Sequence, residues 1–143
     1  MKQRLIIGIC GAVTLVVFVV IFFLPEHDKD FPPLEDLGLA TPPAEITPMD
    51  ISAKKGEWEF YSRIDAIADW LFSSKSHHYY QSGDKELREG LIKNISGALD
   101  HAGGCLLIHK MVSLDEQDFG LEVRGHRIEN PGNMRVTIRV ERL

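Results

Sequence analysis

The chain has 143 residues, a formal net charge of −5 and two cysteines. That length holds one ordinary domain beside any targeting segment. Cys10 lies in an apolar run and Cys105 far along the chain, so no disulfide framework supports the fold. The acidity is concentrated: seven acids face three bases between Pro25 and Gly56, whereas five arginines outnumber three glutamates between Phe119 and Leu143.

The first feature in chain order is "LIIGICGAVTLVVFVVIFFL", Leu5–Leu24, which contains no charged side chain. As a helix it would rise about 1.5 Å per residue and reach roughly 30 Å, the thickness of a bilayer core. Lys2 and Arg4 precede it, and Glu26, Asp28 and Asp30 follow. Cationic residues favour the cytoplasmic side, so the run predicts a transmembrane helix with residues 1–4 inside and the remainder outside. A cleavable signal would be shorter and end in small residues, whereas "PEHDKDFPP" offers no A-x-A site. Gly8 and Ala12 form a small-xxx-small spacing suited to helix packing and to a homo-oligomer.

Residues 25–56 carry six of the seven prolines. Proline fixes φ and removes an N–H donor, so this acidic stretch predicts a tether, with "LEDLGLA" and "EITPMDI" as short apolar segments able to dock. From Glu57 the pattern turns helical: Phe60, Ile64, Ile67 and Leu71 recur at spacings of four, three and four. A second helix, "DKELREGLIKNISGALDHAGG", places Leu87, Leu91, Ile95, Leu99 and Ala102 on one face and ends at Gly103 and Gly104.

Strands follow. "CLLIHKMV" reads as a largely buried strand, and "GLEVRGHRI" and "MRVTIRVERL" as a hairpin around Pro131–Gly132. The register with Pro131–Gly132 as the loop opposes Val123 to Val140, Gly125 to Ile138, Arg124 to Arg139 and His126 to Thr137. The expected fold class is α+β: one transmembrane helix over residues 5–24, then a domain over residues 57–143 of two helices followed by a three-stranded antiparallel sheet.

No catalytic constellation stands out. There is no G-x-S-x-G and no Gly-Lys-Ser/Thr phosphate loop. The six histidines lack metal-ligand spacing: His77 and His78 are adjacent, and His101, His109 and His126 fall on different elements. Asn94-Ile95-Ser96 fits a glycosylation sequon but sits mid-helix. No cofactor is expected.

The most specific feature is a basic sheet face of Arg124, Arg135 and Arg139, with His126 beside it. Such a face suits an acidic partner or an anionic surface. The chain is therefore expected to be a single-pass protein of the bacterial inner membrane, held in the bilayer and bearing a periplasmic interaction domain. It would be an accessory or scaffold subunit of a cell-envelope complex, of the secretion, pilus, division or respiratory kind, not an enzyme. Its partners would be other membrane or periplasmic proteins, and nucleic acid is excluded by that location. The alternatives are a regulatory, immunity or lysis-control module, and a membrane-tethered metal-binding protein or enzyme using His77, His78 or His109.

Overall fold

The computed structural model describes residues 31–74 and 85–143. The seven elements are β1 (Thr47–Ile51), β2 (Lys55–Arg63), α1 (Ile64–Ser73), α2 (Lys85–Ala102), β3 (Gly104–Leu114), β4 (Gln117–Arg127) and β5 (Asn133–Arg142). The strands form one antiparallel sheet in the order β1-β2-β5-β4-β3. The chain thus leaves β2, passes through both helices, and returns at the far edge as β3.

Strand alternation builds the core. β4 turns Phe119, Leu121 and Val123 inward, and β5 turns Met134, Val136, Ile138 and Val140 inward, all buried. β2 contributes buried Phe60 and partly buried Trp58 to the same face. Against that face lie Ile64, Ile67, Trp70 and Leu71 of α1, and Ile95 and Leu99 of α2, with Leu91 and Ile92 partly buried. Phe60 and Trp70 meet edge to face, their centroids 5.3 Å apart.

The helices begin and end for local reasons. Arg63 is still extended, with φ −70° and ψ 146°, and Asp65 accepts two guanidinium hydrogen bonds from Arg63 and one from the Ala66 N–H. A carboxylate in the first turn also suits the positive end of the helix dipole. α2 ends where Gly103 adopts φ 69° and donates its N–H to the Leu99 carbonyl.

Several expectations are corrected. The sheet has five strands instead of three, because β1 and β2 precede the helices. Residues 57–63, expected to open the first helix, belong instead to β2, a strand with a buried Gly56 and a buried Phe60 four residues on. The helical spacing read there is real, but it spans a strand–helix junction whose two parts face the same core. On α2, Leu87 is 41% exposed, so the buried part of its apolar face runs only from Leu91 to Leu99, and Ala102 is exposed at the helix end. β3, expected to be largely buried, is an edge strand with Ile108 its one buried residue.

The β4–β5 register is displaced by two residues. Val123 opposes Ile138, Leu121 opposes Val140 and Gly125 opposes Val136. Asn130–Asn133 does form the turn, with Pro131 and a positive-φ Gly132 at its centre and the Asn133 N–H bonded to the Asn130 carbonyl. Ile128 and Glu129 lie outside the ladder, which moves the first pair back to Arg127 and Met134.

The fold also begins ahead of Glu57. Leu37 is fully buried and Leu39 nearly so, with Phe31, Leu34, Ala40, Ala44 and Ile46 packed against the core. Thr47–Ile51 pairs as β1 with β2.

Among the described residues no helix is long and apolar enough to cross a membrane. The expected single-pass, inner-membrane and periplasmic placement is withdrawn on that finding. The Leu5–Leu24 run that suggested it, with Gly8 and Ala12, lies outside the described residues, as do Cys10, His77 and His78.

Candidate functional site: the open face of the sheet

The helices and residues 31–46 pack on one face of the sheet, and among the described residues the other face is uncovered. Side chains there form rows across the strands. One row runs Tyr61, Arg135, His126; the next Glu59, Thr137, Arg124, Leu106; the third Glu57, Arg139, Glu122, His109. Between them is a shallow groove of about 310 Å³ that the four sequence-predicted residues Arg124, His126, Arg135 and Arg139 all line.

The displaced register matters for charge. The sequence reading opposed Arg124 to Arg139, a repulsive cross-strand pair. In the fold Arg139 opposes Glu122 instead, and Arg124 opposes Thr137. Arg124 bonds Glu122 through both Nε and Nη2, at 2.8 and 3.2 Å. Arg139 reaches Glu57 at 3.3 Å, and Lys55 reaches the same carboxylate at 2.8 Å. Hydrogen bonding to Lys55, with the nearby Arg139 charge, holds the Glu57 carboxyl below its ordinary range. Arg124 does the same for Glu122.

Arg135 differs from its neighbours. It stands in the middle strand between Tyr61 and His126, and its Nε is buried without a hydrogen-bond partner. A buried, unsatisfied guanidinium N–H is costly to leave unmade. His126 beside it is pushed below the ordinary imidazole value, first by burial and then by the Arg135 and Arg124 charges. It is accordingly a neutral imidazole at neutral pH, in a groove lined by three glutamates and three arginines, of which Arg135 makes no ion pair among the described residues.

Sequence reasoning missed the β2 side of the groove, Glu57 and Glu59, with Met49 at the rim and Tyr61 next to Arg135 across the strands. The signal was present in "KGEWEFYS", where Gly56, Trp58, Phe60 and Ser62 alternate with Glu57, Glu59 and Tyr61. Arg127 and Arg142 do not join this face. Arg127 borders a second cleft of about 280 Å³ between α2 and the β4–β5 loop. The Arg142 guanidinium lies over the Phe31 ring, 4.9 Å from its centroid.

Among the described residues no three His, Cys, Asp or Glu side chains are grouped to hold a metal ion. Cys105 is half-buried, and burial pushes its thiol up, away from the reactive thiolate. Comparison of the chain with protein families, with curated proteins and with solved structures finds no match in any of the three.

Proposed function

We propose that residues 31–143 form a protein-interaction module, an accessory or scaffold component that docks an acidic segment of a partner protein on the open sheet face. The observation that carries this reading is Arg135: in a groove where Arg124 and Arg139 are neutralised by Glu122 and Glu57, its Nε–H remains buried and unpaired. A carboxylate from a partner would pair with the Arg135 guanidinium in a charge-assisted hydrogen bond once that side chain turns to present it to the groove. The exposed Tyr61, Leu106 and Met111 on the same face supply apolar contact area. A shallow groove with interleaved charges suits an extended polypeptide better than an enclosed small molecule.

The test compares binding partners of the wild type with those of Arg135→Glu and Arg135→Lys. Cross-linking in the native cell followed by identification of the captured proteins is expected to show a partner lost in Arg135→Glu and weakened in Arg135→Lys. Circular dichroism of each variant checks that the fold is intact. An identical partner set across all three proteins overturns the proposal.

A further inference from the structure

The sheet has two edges, and they are protected very differently. β1 is five residues long, contains Pro48, and is interrupted by a register shift between Pro48 and Asp50. Short length, proline, a bulge and a charge are the usual ways of keeping an edge from recruiting another strand. β3 has 11 residues, no proline and no acidic residue, and its one formal charge is Lys110. Its register shift lies near the start, between Leu106 and Ile108, leaving Ile108–Leu114 in unbroken pairing with β4. Among the described residues, no backbone hydrogen bond outside the ladder with β4 reaches β3.

The side chains of this edge are unusual on both faces. On the open face Leu106 is 51% and Met111 69% exposed. On the helix-covered face Lys110 is half-buried opposite Leu121, which is fully buried. Burial alone pushes its ammonium below the ordinary lysine value, with no carboxylate offsetting it. We infer that the free edge of β3 accepts an extended segment of a partner protein as a sixth strand, with a carboxylate beside Lys110 and apolar side chains beside Leu106 and Met111. Main-chain hydrogen bonds give such strand addition its affinity, and alternate side chains give it specificity.

Charge selects this occupant over a second copy of the chain. Two copies of β3 paired antiparallel across a two-fold axis bring together strands that both carry Lys110 and His109 and no acid. β1 of another copy has Asp50, but Lys55 already pairs with that carboxylate and Pro48 donates no N–H. Such an unlike contact would build a ring or a filament instead of a two-fold dimer. The strand-addition site does not depend on Arg135, since it rests on the edge backbone and Lys110.

The experiment uses two synthetic peptides of about ten residues. Both alternate valine and threonine, and they differ only in a central glutamate or lysine. Amide hydrogen exchange is followed by NMR in the intact protein. The glutamate peptide is expected to slow alternate amides within residues 108–114 by about tenfold or more, and the lysine peptide to leave them unchanged. Lys110→Glu should reverse that preference, which separates charge recognition from any loss of fold. Arg135→Glu should leave the protection intact, so failure of the groove reading and failure of the edge reading give different results. Equal protection by both peptides, no protection by either, or protection that grows with protein concentration alone overturns the inference, the last by naming a second copy as occupant.

Discussion

The Ser74 hydroxyl closes a hydrogen-bond circuit that fastens residues 31–46 to the end of α1. It donates to the Trp70 carbonyl at 2.9 Å and accepts the Ala40 N–H at 3.0 Å, while the Trp70 indole N–H donates to the Ala40 carbonyl at 2.7 Å. Ser74 is 3% exposed, so water cannot readily replace a lost partner. Ser74→Ala should therefore cost about 1–3 kcal/mol, the desolvation penalty of an orphaned Ala40 N–H, read from the urea unfolding midpoint. Charge makes a second prediction at this scale. His126 has a folded-state value below its ordinary 6.5, so as pH falls through 6.5 the unfolded chain takes up a proton that the folded chain refuses. Stability falls over that window, and His126→Gln should flatten the decline measured between neutral and mildly acidic pH. Glu57 acts in a lower window with the same slope: its carboxyl is held below the ordinary 4.5, so its contribution is complete above 4.5 and drains as pH falls through the folded value. Glu57→Gln should lower stability at neutral pH and reduce the further loss seen in acid, by chemical unfolding at a series of pH values.

Turns decided how much of the fold the sequence disclosed. Pro131–Gly132 marked the β4–β5 connection because proline and glycine preset the dihedrals of the turn, but nothing marked Ile128 and Glu129 as unpaired, so the register slipped by two. A shift of two preserves each residue's face, which is why Arg124, His126, Arg135 and Arg139 were still placed together while their partners were not. The β3–β4 hairpin was invisible for the opposite reason. Its loop is Asp115–Glu116, with φ of 48° and 64°, a left-handed pair that favours Asn-Gly and gives no glycine signal here. Holding glutamate in that region stores strain, so Asp115→Asn with Glu116→Gly should stabilise the protein by about 1 kcal/mol. Part of the gain is offset by the greater freedom of glycine in the unfolded chain. Thermal unfolding of the double variant checks the sign.

At the scale of the whole molecule, the sequence boundary at Glu57 and the physical boundary diverge. Proline density and acidity mark residues 25–56 as polar connector, and composition cannot show that two leucines within it fill the core. Leu37 and Leu39 are buried with Phe60, Trp70 and Leu71, and Phe31 meets Trp58 edge to face with centroids 6.0 Å apart. Prolines are compatible with this packing because residues 31–46 contribute side chains and a few turn bonds, such as Gly38 N–H to the Glu35 carbonyl, without needing a regular ladder. A fragment starting at Glu57 would lose those side chains, β1, and Gly56, over which the Trp58 ring lies. Leu37→Ala alone should cost about 2–5 kcal/mol, a large share of the stability of a domain this size. Residues 57–143 should accordingly lack a cooperative thermal transition, whereas residues 31–143 should unfold in a single one. A sharp transition in the shorter fragment, with native-like spread of its β4 and β5 amide signals, would show that residues 31–56 are dispensable to the core.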